Sequence, residues 1–283
     1  MEIKKVGIVG CGTMGNGIVT VCAQSGYEVV VSEINEPILK KGLAVIDSFL
    51  SKSVEKAKIT QADKDATMAR IKGTTDMKDF GDCDLVIEAA TENMDLKKKI
   101  FAELDKVCSK DAILATNTSC LSIIDTATVT SRPDKVLGLH FMNPVPLMKL
   151  LEIVRTIATS DETLEIGKQF GKSVGKTIVI AKDTPGFIAN YLEMPYLLNA
   201  MRMMDNGVAT KEDIDTTMNL GFNHPMGPLT LSDLIGLDTI LFVVDAIYED
   251  TKDTQYAAPP LLRKMVTAGW LGRKTGKGFY DYK

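Results

Sequence analysis

A short apolar run that stops in a glycine-rich loop constrains this chain more than any other feature. Val6-Gly7-Ile8-Val9 leads into Gly10-Cys11-Gly12-Thr13-Met14-Gly15, a G-x-G-x-x-G pattern. Residues with helical spacing follow: Met14, Ile18, Val21 and Cys22. Gly26 stands where a glycine ends a helix, and Tyr27 to Ser32 is a second β-rich run. The pattern is weak alone, but between a strand and a helix it reads as the first βαβ unit of a parallel sheet. Glycines there permit a tight turn and a close backbone approach to a pyrophosphate. The helix N-terminus adds N–H groups and partial positive charge.

Glu33 ends the second strand, where a carboxylate hydrogen-bonds ribose hydroxyls and repels a 2′-phosphate. The expected cofactor is NAD rather than NADP, held by Gly10, Gly12, Thr13, Met14, Gly15 and Glu33. A ligand-free turn, or FAD or S-adenosylmethionine as ligand, are the other readings of this loop.

Beyond Ser32 the chain alternates. Residues 36 to 71 read as helical and polar, long enough for a projecting helical hairpin. Strands are expected at 84–89, 112–116, 136–140, 149–155 and 177–181. Helices are expected at 96–107 with Asp95 as cap, at 121–127 and at 163–174. Such alternation implies a Rossmann-type α/β fold with a doubly wound, mostly parallel sheet. Asp183-Thr184-Pro185-Gly186 breaks the pattern, and almost only helical periodicity follows, including single long helices over 188–204 and 229–248. The division is placed as residues 1–185, a dinucleotide-binding domain, and 186–283, an all-α domain.

Composition excludes several classes. Net charge is −4, from 33 basic and 37 acidic residues, which disfavours a nucleic-acid partner. Five scattered cysteines with no CxxC pair disfavour a disulfide framework or a bound metal, and fit a reducing cytoplasm. No apolar run nears the ~20 residues of a membrane helix, and no secretory leader is evident.

Ligands in open α/β sheets bind beyond the carboxyl ends of the strands. Ala89-Ala90-Thr91-Glu92 ends one strand, Asn117-Thr118-Ser119 the next, and His140 with Asn143 the third. Of the two histidines, His140 suits the proton transfer that accompanies hydride chemistry near neutral pH. Glu152 sits in Leu150-Leu151-Glu152-Ile153-Val154, where an unpaired carboxylate is costly. Antiparallel pairing of 136–140 with 149–155 across the Pro144–Pro146 turn would set it against His140. Local satisfaction of each residue is the other reading. His224 reads as a turn residue. Lys52 and Lys56 share a helical face, either as a phosphate clamp or as a solvated surface.

Longer motifs identify a family. Asn117-Thr118-Ser119, Gly138-Leu139-His140-Phe141-Met142-Asn143-Pro144-Val145-Pro146, Asp183-Thr184-Pro185-Gly186-Phe187-Ile188-Ala189-Asn190, Asn223-His224-Pro225-Met226-Gly227-Pro228 and Gly272-Arg273-Lys274-Thr275-Gly276-Lys277-Gly278-Phe279-Tyr280 resemble the L-3-hydroxyacyl-CoA dehydrogenases. The resemblance covers essentially the whole chain. Length and tail are most similar to the bacterial single-function 3-hydroxybutyryl-CoA members.

The resemblance implies reversible oxidation of a short (S)-3-hydroxyacyl-CoA to the 3-ketoacyl-CoA, and a homodimer formed through the helical domain. It implies His140 as acid/base oriented by Glu152, with Ser119 and Asn190 on the substrate. Ala89, Glu92, Lys97, Asn117, Ser119, Asn143 and Lys274 would join the glycine loop and Glu33 around NAD. Lys52, Lys56 and Ser119 would contact the coenzyme A substrate. Three positions depart from the family pattern: Tyr191 for the common arginine, Glu33 for aspartate and Cys120 for serine. A longer-chain or non-CoA hydroxy-acid dehydrogenase, and a non-catalytic NAD-binding structural protein, are the rival functions.

Overall fold

A computed structural model describes residues 1–282. It divides into two compact units, Met1–Thr184 and a second beginning at Pro185.

The first unit contains one eight-stranded sheet. Its strands are β1 (Lys5–Val9), β2 (Glu28–Ser32), β3 (Ile71–Thr74), β4 (Leu85–Glu88), β5 (Ile113–Thr116), β6 (Val136–Phe141), β7 (Leu150–Arg155) and β8 (Thr177–Lys182), in the order β3-β2-β1-β4-β5-β6-β7-β8. All neighbours are parallel except β6 and β7, which are antiparallel. Between β1 and β4 the winding changes direction, and a crevice opens there at the carboxyl ends. β1, β4, β5 and β6 are almost wholly buried, as expected of strands covered on both faces.

The helices of this unit are α1 (Thr13–Gln24), α2 (Glu36–Glu55), α3 (Gln61–Ala69), α4 (Met94–Val107), α5 (Ile123–Ala127) and α6 (Asp161–Ser173). Helix α1 ends as Gly26 suggests. Gly26 has φ +95°, its N–H donates to the Ala23 carbonyl at 3.2 Å, and the Tyr27 N–H donates to the Cys22 carbonyl at 3.2 Å. Ile18, Leu39, Ile46 and Leu50 join Val6, Ile8 and Val31 in the core.

Three local expectations differ from the structure. The 36–71 segment is the pair of helices expected, but β3 follows it unannounced, because Ile71-Lys72-Gly73-Thr74 is an edge strand with no apolar run. Helix α4 starts earlier than read, and Asn93 rather than Asp95 caps it, accepting from the Leu96 N–H at 2.9 Å. The expected helix over 229–248 is broken at Gly236, whose φ of +103° cannot continue a helix.

The second unit is helical: α7 (Ala189–Asp205, with Pro195 inside it), α8 (Lys211–Thr216), α9 (Pro228–Ile235), α10 (Leu237–Thr251) and α11 (Pro260–Thr267). Two buried carboxylates organise it. Asp215 accepts from the Leu229 and Thr230 N–H groups, and Asp233 from those of Phe279 and Tyr280. No helix of the described residues is long and apolar enough to cross a membrane.

Candidate active site

The glycine loop is built by close backbone contact. Gly10 has φ +96°, and a Cβ there would stand 2.7 Å from Ala90 Cα. A Cβ on Gly15 would collide with the Gly10 carbonyl oxygen. Gly12 differs, since nothing lies within 4 Å of the position of its Cβ. It caps α1 without a side-chain hydrogen bond, so the first turn of that helix faces open space. At the end of β2, Glu33 Oε1 accepts the Cys11 N–H at 2.7 Å. These features fit a dinucleotide: an uncapped helix start, room at Gly12 and a carboxylate beside the loop. Cys11 is not a reactive thiol, because burial, with the Glu33 carboxylate adding to it, pushes its pKa up to about 11.

On the other side of the crevice, the antiparallel register of β6 and β7 sets His140 opposite Glu152. His140 Nδ1 lies 2.6 Å from Glu152 Oε2, and both residues are buried. Asn117, at the end of β5, accepts the Phe141 N–H at 3.0 Å and so ties β5 to β6 beside His140. Glu92 accepts the Thr118 hydroxyl at 2.7 Å and the Ser119 N–H at 3.0 Å. The α5 helix that follows Ser119 is capped from far along the chain. Asp183 accepts the Ile123 and Ile124 N–H groups at 3.0 and 2.7 Å, a contact sequence spacing does not reveal. Among the described residues, no group of three or more His, Cys, Asp or Glu is placed to hold a metal ion.

Residues 5–184 match the family model of the 3-hydroxyacyl-CoA dehydrogenase NAD binding domain, and residues 186–282 match the C-terminal domain of the same family. The chain belongs to the 3-hydroxyacyl-CoA dehydrogenase family. A 3-hydroxybutyryl-CoA dehydrogenase of Bradyrhizobium diazoefficiens is 46% identical over 281 residues, 99% of this chain and 96% of that one. The crystal structure of (S)-3-hydroxybutyryl-CoA dehydrogenase PaaH1 from Ralstonia eutropha matches with TM-score 0.96 at 46% identity, covering all of both chains. That of FadB2 from M. tuberculosis matches with TM-score 0.98 at 45% identity, again over all of both chains. The first unit is therefore the NAD-binding domain of a 3-hydroxyacyl-CoA dehydrogenase, and NAD is its cofactor.

The other residues expected at the site from the sequence fall into three groups. Ala89 donates its N–H to the Val9 carbonyl at 2.8 Å beside the glycine loop, and Asn143 is exposed in the turn after β6. Lys52 and Lys56 are exposed near the end of α2, and neither forms an ion pair among the described residues. Asn190 and Lys274 belong to the second unit. Asn190 stands in the first turn of α7, and Lys274 pairs with Asp238 at 2.7 Å. Tyr191, the departure from the common arginine, packs its ring 5.3 Å from that of Tyr256 and accepts the Tyr256 hydroxyl on its carbonyl. His224 also lies in the second unit, with Nδ1 3.2 Å from the Tyr196 hydroxyl. Glu88, which sequence reading missed, is fully buried at the end of β4. The signal was present, since Glu88 is a charged residue closing an apolar strand.

Proposed function

We propose that this dehydrogenase reversibly converts short (S)-3-hydroxyacyl-CoA, with 3-hydroxybutyryl-CoA as the type substrate, into 3-ketoacyl-CoA, with acetoacetyl-CoA as product. The buried 2.6 Å contact between His140 and Glu152 carries this reading. Bound NAD would supply the hydride acceptor for the oxidation, and NADH the donor for the reduction.

The proton is handled by the chain. With Nδ1 donating to the Glu152 carboxylate, the imidazole is held in one tautomer, and Nε2 is the nitrogen that exchanges a proton with substrate. In oxidation Nε2 takes the proton of the 3-hydroxyl; in reduction it gives that proton to the forming hydroxyl. Glu152 stabilises the imidazolium formed in the first direction. Ser119 and Asn190 hydrogen-bond the 3-oxygen and the thioester region. Glu33 and the glycine loop, with Ala89, Glu92, Lys97, Asn117, Ser119, Asn143 and Lys274, would hold the cofactor. Lys52 and Lys56 meet the phosphates of coenzyme A.

The active form is a homodimer built on the helical unit, and the cytoplasm is its compartment. Exposed Leu192, Leu220, Phe222 and Phe242 in that unit support the dimer.

NADH and NADPH oxidation with acetoacetyl-CoA at about pH 6.5 tests the reading. Turnover with NADH and little with NADPH is expected. Activity only with NADPH would overturn the role of Glu33, and no activity with either would overturn the substrate.

A further inference from the structure

Behind the loop that carries Ser119 lies a charged cluster centred on Glu88, a residue that the proposed chemistry does not use. Glu88 is fully buried, and Lys97, reaching in from α4, is 1% exposed. Lys97 Nζ stands 2.6 Å from Glu88 Oε2, 3.2 Å from Thr116 Oγ1 and 3.6 Å from Glu92 Oε2. Thr116 donates to the same Glu88 oxygen at 2.8 Å. The other Glu88 oxygen accepts the Ala90 and Thr91 N–H groups at 2.9 and 3.3 Å, which fixes the start of the β4–α4 loop. Glu92, further along that loop, holds Thr118 and Ser119. One ammonium thus links the loop after β4 to the loop after β5.

The charges explain the arrangement. Glu88 is fully buried, and a carboxylate buried outright is costly without a cation beside it. Lys97 supplies it.

We propose that Glu88 is a positioning residue for the reaction. Through Lys97 it keeps Glu92 in place, and Glu92 sets the backbone and hydroxyl of Ser119. The inference rests on the proposed contact of Ser119 with substrate.

The test uses the intact enzyme with Glu88→Gln, Lys97→Met and both together. kcat and KM are measured with acetoacetyl-CoA, and Kd by NADH fluorescence. Glu88→Gln is expected to lower kcat about tenfold while the NADH Kd stays within about twofold. Glu88→Asp, which keeps the charge, restores part of the loss. Lys97→Met leaves the buried Glu88 without its cation and Glu92 without its tether, and lowers kcat at least as far as Glu88→Gln. The double variant removes the stranded charge and turns over faster than Lys97→Met alone.

Should Glu88→Gln fail to fold, Thr116→Val removes one tie at constant volume and gives the same split at smaller size. Wild-type kcat in Glu88→Gln, or multiplicative losses in the double variant, would overturn the proposal. So would a Lys97→Met loss confined to NADH affinity with kcat intact, since Lys97 would then serve the cofactor alone. A wild-type enzyme inactive with acetoacetyl-CoA and NADH would overturn the proposed function instead.

Discussion

At the end of β1, Gly10 packs against Ala89 and Ala90, and Gly15 against the Gly10 carbonyl, so closely that neither tolerates a Cβ, and the loop opens a helix whose N-terminus has no side-chain cap. At the end of β6 two ionisable side chains, His140 and Glu152, are brought into contact by strand register alone. The first region works by shape and helix-terminus electrostatics, so changes there should act on cofactor affinity. The second works by proton position, so changes there should act on turnover. Both regions lie in one sheet, on either side of the point where its winding reverses.

The largest effect separating them is expected from His140→Gln. Loss of proton transfer should lower kcat by about 10²–10⁴-fold, while NADH binds as in the wild type. Steady-state kinetics paired with NADH fluorescence reads both quantities, and a fall in affinity alone would erase the distinction.

Within the loop, Gly15→Ala and Gly12→Ala should part company. The Gly15 variant meets the Gly10 carbonyl and should lose about 1–3 kcal/mol of stability in a thermal melt, along with NADH affinity. The Gly12 variant meets no protein atom and should weaken NADH by about tenfold at unchanged Tm. Equal destabilisation of the two would show that the loop is held by something other than this contact.

Glu33→Gln keeps an acceptor for the Cys11 N–H but removes the charge that repels a 2′-phosphate. Its effect should be about tenfold on the NADH-to-NADPH preference, with kcat for NADH little changed. The smallest effect is expected from Lys52→Ala with Lys56→Ala. The KM for acetoacetyl-CoA should rise by about threefold, as suits exposed charges meeting phosphate, with kcat intact. Unchanged KM would leave the pair as a solvated surface.

The same two regions show how much the sequence reveals. The glycine loop is legible because its constraint is local: Gly10, Gly12 and Gly15 fall within six residues, and Glu33 ends the very next strand. The His140–Glu152 pairing is legible only as a conditional, because it depends on β6 and β7 meeting across the Pro144–Pro146 turn. Register decides that, and a slip of one residue would send Glu152 to the other face.

Contacts set by tertiary packing left fainter marks. Asp183 caps α5 from 60 residues away. β3 joins the edge of the sheet with only Ile71 as an apolar anchor. Gly236 breaks α9 from α10 inside an apolar run whose periodicity suggests one helix. Glu88 looked like the end of a strand, and only the fold shows that Lys97 reaches it.

The central claim is that His140 and Glu152 act as one unit. The most direct measurement is kcat for acetoacetyl-CoA reduction in His140→Gln, Glu152→Gln and the double variant. A single unit predicts that the double variant turns over within about twofold of His140→Gln, because Glu152 has nothing left to orient. Losses that multiply across the two substitutions would contradict the account and give Glu152 a separate task.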